Sequence, residues 1–342
     1  MDQKILIAKA FHDCKTKSIK SIINCFHPDC NQKSINSHIL QKNGILSVIA
    51  EDKHVIEMQI NKFNEKEHSF ERIGINKAFS FNCFCVKHDS ELFKSIEVEE
   101  IDFSNYKNLL LFTLRTVYNE KFRKLVNVSM YECLIANHAD LFDIDYLTGS
   151  LSQEKLGVSD LENTENVIWN DLNLNSESYV FKVREISLKE ICLSAFYNYE
   201  TSLELQQYIW KYKMDKEEVI DIFINLFPYK NKSIFMMAYK KDNDAEVKSY
   251  INEFFTDSEK RLERKITNLM MFQCETWVIS NKFYRKNILK TEDAFTYAVQ
   301  FSGQNYNERK FFDLNIFNEN FPLKYNIFKK NAAKYLSEHR RK

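Results

Sequence analysis

Two short runs hold most of the side chains that could do chemistry. Cys25-Phe-His-Pro-Asp-Cys30 offers two thiols, and Cys83-Phe-Cys85-Val-Lys-His88-Asp89 offers two more together with an imidazole and a carboxylate. A closed structural zinc site needs four such ligands, and they arrive as two short-spaced pairs because a single turn can present both members of a pair to a tetrahedral ion. Cys25 with Cys30, and Cys85 with His88, meet that requirement, with Cys83 as the substitute if one assignment fails. The competing reading is ordinary buried thiols beside a surface histidine. Ligand-spaced pairs on both sides favour zinc, although four residues intervene in the first pair and 54 separate Cys30 from Cys85, more than most small zinc modules use.

The elements that must position these residues follow from where the composition shifts. Five of the eight cysteines and six of the eight histidines lie within the first 88 residues. This marks a separate N-terminal unit, and the acidic stretch Glu97 to Asp102 sets the expected boundary, giving domains 1–100 and 101–342. Beyond it, Ile101, Tyr106, Leu109, Leu110, Leu114, Val117, Tyr118, Phe122 and Leu125 recur at helical spacing. The spacing predicts a long amphipathic helix with Ser104 as its cap, packed into one core with a second helix that carries Leu262, Ile266, Leu269, Met270, Cys274 and Trp277 behind Asp257 or Ser258. Cys274 on that apolar face reads as a core thiol.

Residues 136–178 carry nine acids against one base and include Gly149 and Gly157, a pattern that predicts surface loops with short helices. Strands are expected where apolar residues alternate or run together, in 179–183, 219–224 and 233–239. Trp169, Trp210 and Trp277 read as core. Arg115, Tyr118, Asn119 and Arg123 could imitate a helical ribonuclease site, but the histidine such a site needs is absent from that helix.

Composition excludes several classes. The 342 residues balance 48 Lys+Arg against 48 Asp+Glu, so net charge predicts neither a nucleic-acid nor a membrane-surface protein. With 28 Phe and 17 Tyr the chain has a sizeable core, and 5 Gly leave no glycine-rich phosphate loop. No apolar run reaches membrane-spanning length and the N-terminus is too polar for a signal peptide, so a cytoplasmic location with no membrane partner is expected. In that reducing compartment metal binding or burial is the default for the cysteines rather than disulfides. Positive charge gathers at the ends: six bases against three acids in residues 1–40, and seventeen against nine in 258–342. The terminal run from Lys324 reads as a solvated helix end.

Between the two ligand pairs lies Ile35-Asn-Ser-His38-Ile-Leu-Gln-Lys-Asn-Gly44. With the flanking pairs it resembles the HNH endonucleases, a treble-clef, ββα-metal arrangement in which a histidine on the first strand activates water. The resemblance covers about residues 20–95. It implies an α+β chain with a small N-terminal treble-clef or HNH-like zinc module joined to a larger mixed helix-and-sheet C-terminal domain. It also implies structural zinc, catalytic Mg²⁺ or Mn²⁺, His38 as general base, Asp89 as ligand of the catalytic cation and Asn82 as the orienting asparagine, acting on DNA or RNA. Ser37, Asp89 and the long insert depart from the family pattern. The same segment is similar to a group of bacterial proteins without a settled activity, and phage defence is the role that resemblance suggests. The alternative is a non-catalytic zinc-stabilised adaptor that binds nucleic acid or protein.

Overall fold

The computed structural model describes residues 3–60, 68–198, 220–295, 314–318, 321, 325–327 and 329–330. Helix and sheet are mixed, as an α+β chain requires, and the chain folds into two compact units. One comprises residues 1–44, 61–67 and 76–179; the other comprises 45–60, 68–75 and 180–342. Residue 100 falls inside the first unit, and two segments that precede it belong to the second.

The first unit contains α1 (Gln3–Ser21), β1 (Asn36–His38), β4 (Ser80–Asn82), α3 (Val86–Leu92), α4 (Tyr106–Asn137) and α5 (Ile144–Leu174). Strands β1 and β4 form an antiparallel two-stranded sheet. The long helix expected after residue 100 is α4, and it packs against α5 and α1. Its residues 108–119 are buried on every side, the polar Asn108, Thr113, Arg115, Thr116 and Asn119 included, where the spacing predicts a single apolar face. The cap is Asn105 in place of Ser104: the Asn105 side chain accepts the Asn108 N–H, while the Ser104 hydroxyl donates to Asp102.

The acidic stretch 136–178 corrects the sequence reading, because most of it forms the 31-residue helix α5 rather than surface loops with short helices. Asp143 caps it by accepting the Asp145 and Tyr146 N–H groups, and Asn175 ends it in the left-handed region at φ 51°. Leu147, Leu161, Ile168, Trp169 and Leu172 supply its buried stripe. Gly157, read as a loop residue, is instead a point of close approach: a Cβ there would lie 2.8 Å from the Lys124 side chain of α4. Lys124 then reaches Glu154 at 3.4 Å.

A disulfide joins Cys14 of α1 to Cys133 of α4, a correction to the expectation that the thiols serve metal binding or burial alone. Around it Ala10, Met130, Tyr131, Leu134 and Leu147 form a local apolar cluster.

The second unit is built on a seven-stranded sheet in the order β3-β2-β9-β6-β7-β8-β5: β2 (His54–Ile60), β3 (His68–Gly74), β5 (Tyr179–Ser187), β6 (Ile191–Asn198), β7 (Asp221–Tyr229), β8 (Lys232–Lys240) and β9 (Trp277–Ile279). All three expected strands are present, as β5, β7 and β8. The interiors of β7 and β8 are buried on both faces, which explains why they read as continuous apolar runs. Helices α6 (Asp244–Thr256) and α7 (Glu259–Phe272) join the sheet in one core that includes Leu262, Ile266, Leu269, Cys274 and Trp277. The expected second helix is therefore α7, with Ser258 at its N-cap position, but Trp277 lies beyond it on β9 and α4 belongs to the other unit. A one-turn helix α2 (Ser47–Ile49) leads into β2. Among the described residues no helix is long and apolar enough to cross a membrane. Trp210, His339 and most of the basic run after Lys324 lie outside the described residues.

Candidate metal centre

The knuckle that carries the first pair is made by backbone. The Cys30 N–H donates to the His27 carbonyl, and Asp29 turns the chain through the left-handed region at φ 60°. The Cys25 N–H reaches the Gln32 carbonyl at 2.9 Å, and the Phe26 N–H reaches the Cys83 carbonyl at 2.8 Å, so the knuckle is stitched to the chain that follows β4. There Cys85 is the N-cap of α3 and His88 lies in its first turn, which puts both side chains at one helix end.

The result is a cluster in which one ligand atom each from Cys25, Cys30, Cys85 and His88 lies within 4.8 Å of every other. Cys25 Sγ and Cys85 Sγ stand 3.4 and 3.5 Å from His88 Nδ1, and Cys30 Sγ stands 4.0 Å from Cys85 Sγ. Tetrahedral zinc with its usual bond lengths would separate sulfur from sulfur by about 3.8 Å and sulfur from nitrogen by about 3.5 Å. The spacings fit, and the donor set of three thiolates and one imidazole is zinc's own. Cys83 is not one of the four; it is buried and its carbonyl serves the knuckle.

The electrostatics favour the ligating forms unevenly. The His88 N–H at the helix start stabilises the Cys85 thiolate and pulls that thiol below its ordinary value, with the Cys25 and Cys30 side chains assisting. Burial pushes Cys25 up to about 11, so a metal bound there would have to displace its proton. Burial first, with Lys87 assisting and Glu91 opposing, lowers the His88 imidazole below its ordinary value, the direction that favours the ligating form.

Sequence reasoning missed what backs the cluster. His27 stacks on His88 with ring centroids 3.8 Å apart, and Trp169 of α5 meets His27 edge-on at 4.8 Å. Behind them the Tyr118 hydroxyl of α4 donates to Glu165 at 2.5 Å, accepts the Trp169 indole N–H at 2.7 Å and lies 3.1 Å from the Phe26 carbonyl. Lys121 closes the set on the other Glu165 oxygen at 2.6 Å. Burial, reinforced by the Glu165 charge, holds the Tyr118 phenol protonated. In the sequence Tyr118 reads as part of the apolar face of α4 and Trp169 as a core residue, and neither carries a signal of this role.

The expected catalytic trio lies nearby in sequence but is not drawn into such a cluster. In the β1–β4 ladder Asn36 faces Asn82, Ser37 faces Phe81 and His38 faces Ser80. Strand alternation therefore sets His38 and Asn82 on one half-buried face, opposite the buried Ser37 and Phe81. His38 sits about 7 Å farther along the ladder than Asn82 from the metal ligands. Asp89 follows His88 on α3, with its Oδ1 buried and without a hydrogen-bond partner. Among the described residues no second group of three or more His, Cys, Asp or Glu side chains converges.

No protein-family model, curated protein or solved structure matches this chain. The Cys₃His cluster could hold a zinc ion.

Proposed function

We propose that the chain is a zinc-stabilised adaptor. The observation that carries this is the convergence of Cys25, Cys30, Cys85 and His88, a set that fills all four positions of a tetrahedral ion. A closed site of that kind leaves the metal no open position for substrate or water, so its work is to hold the knuckle, the β1–β4 ladder and α3 together as a treble-clef-type module. Nucleic acid is the partner favoured by the excess of bases in residues 1–40, and protein is the other partner class. The test is elemental analysis of the purified chain, followed by binding titrations with labelled DNA and RNA at two salt concentrations. One zinc per chain and salt-sensitive binding support the reading; a metal-free folded chain sinks it.

A second reading rests on a specific placement. His38 and Asn82 share one face of the ladder and α3 follows it, in the strand-strand-helix order of an HNH-type endonuclease. In that reading His38 accepts a proton from water and Mg²⁺ or Mn²⁺ supplies charge to the leaving phosphate oxygen. Incubation of plasmid and RNA with either cation decides: cleavage by the wild-type chain that His38→Ala abolishes, with zinc content unchanged, would replace the adaptor by an enzyme.

A further inference from the structure

Helix α1 carries five lysines and a single acid, Asp13. Its packed side is set by Ala10, Cys14 and Ser18, and the Cys14–Cys133 disulfide fixes that side against α4. At about 3.6 residues per turn, Lys9, Lys17 and Lys20 fall together on an adjoining face, and all three are exposed. Lys33, also exposed, pairs with Asn24 just past the helix end. Among the described residues none of these four lysines has a carboxylate at ion-pair distance, not even Asp13, which stands four residues from both Lys9 and Lys17. The lysines of the neighbouring helices differ: Lys121, Lys124 and Lys155 each meet a glutamate. A row of like charges left without counter-charges on one rigidly held helix is a surface that a polyanion complements.

We propose that the Lys9, Lys17 and Lys20 face of α1 is the surface on which the chain docks double-stranded DNA, along the phosphates of one strand. The proposal rests on the nucleic-acid adaptor reading above and names its contact surface. Lys9 and Lys20 lie about 16 Å apart along the helix axis, a length over which one strand of a duplex presents about five phosphates. The large apolar side chains exposed on α1 and the segment after it, Ile5, Ile19, Ile23 and Ile35, are all aliphatic, so the bases of a single strand find no exposed ring to stack on. The deep, narrow major groove of an RNA duplex keeps a helix out, whereas the major groove of B-form DNA admits one. None of the three lysines belongs to the metal cluster, so removing them leaves the zinc ligands in place.

The experiment uses the full chain and a fluorescently labelled DNA duplex, with binding followed by anisotropy across a range of salt concentrations. The variants are the triple Lys9→Gln/Lys17→Gln/Lys20→Gln, the single Lys20→Gln and a control triple, Lys232→Gln/Lys260→Gln/Lys290→Gln, which removes the same charge from exposed positions of the second unit. Circular dichroism checks the fold. Each lysine lost from a phosphate contact takes about 0.9 off the slope of log K against log salt, so the α1 triple is expected to flatten that slope by about 2.7 and the single by about 0.9. At low salt the α1 triple binds at least about tenfold more weakly, while the control triple stays within about twofold of wild type. Binding by the α1 triple that matches wild type, or an equal loss in the control, overturns the docking surface and leaves the adaptor reading standing. Tighter binding of single-stranded DNA or of duplex RNA than of duplex DNA overturns the choice of partner. A folded wild-type chain that binds no nucleic acid at low salt removes the nucleic-acid reading and the proposal with it. Where the α1 triple does not fold, the slope of Lys20→Gln decides alone.

Discussion

Removing one oxygen atom tests whether the helices behind the metal centre hold it. In Tyr118→Phe the Trp169 indole N–H loses its acceptor at 2.7 Å and Glu165 loses its donor at 2.5 Å, both in buried surroundings. Each buried polar group left unpaired costs about 1–3 kcal/mol, and Lys121 still satisfies the second Glu165 oxygen, so the expected loss is about 3 kcal/mol. At about 1.4 kcal/mol per tenfold, that is roughly a hundredfold in the folding equilibrium. The ring is kept, so no cavity contributes. Urea unfolding followed by tryptophan fluorescence measures it, and zinc release to EDTA should quicken because the hydroxyl also lies 3.1 Å from the Phe26 carbonyl inside the knuckle. Glu165→Gln in the same background should cost at least about 1 kcal/mol less than it does alone, since the two side chains act as one network. A loss under about 0.5 kcal/mol with zinc release unchanged would refute the network.

Three further outcomes follow from other parts of the molecule. Replacing Cys85 by Ser, or His88 by Ala, should remove zinc from the purified chain and destabilise the first unit, read as metal content and loss of helical signal; full zinc occupancy in either variant rejects the ligand assignment. Reduction of the Cys14–Cys133 disulfide, whose cysteines are 119 residues apart in sequence, should cost up to about 5 kcal/mol on the chain-entropy account, measured as a lower urea midpoint in reductant. A thiol count of eight rather than six in denaturant with EDTA rejects the bond. Burial pushes the Glu259 carboxyl up, but hydrogen bonds from Ser187 and Lys189 outweigh it and hold the group at about 2, below its ordinary 4.5. A depressed carboxyl stabilises the fold above its unfolded value, so this contribution is complete above about pH 4.5 and is lost as pH falls toward 2; Glu259→Gln should flatten that part of the urea-midpoint profile, and an unchanged profile contradicts it.

Local patterns were legible in the sequence and long-range pairings were not. The four metal-ligand candidates could be picked out because each pair sits on one turn, and α4, α7, β5, β7 and β8 because their apolar residues repeat at helical spacing or run together. Helix α5 was hidden by its composition: acidic residues are spread along it, and two glycines suggest a break where Gly157 in fact makes room for Lys124. Nothing near Cys14 points to Cys133, because the partner is supplied by the packing of α1 on α4. The same holds for Tyr118 and Trp169, whose hydroxyl and indole meet only when α4 and α5 lie side by side.

The long insert between the ligand pairs was read as a departure from a compact zinc module, and the topology gives it a use. Residues 45–60 and 68–75 leave the first unit and supply β2 and β3, which pair with each other and, through β2, with β9 in the second unit's sheet. The chain then returns to complete the β1–β4 ladder and present Cys85 and His88. Zinc held by both pairs would therefore close a covalent loop around a hairpin committed to another core, so the entropy of closing that loop adds to what the metal must overcome. A three-residue ladder supplies little toward that cost. The Tyr118 network, which ties α4 and α5 to the Phe26 carbonyl, is what a module with such an insert would need: a long buried helix that fixes the first knuckle while the loop closes.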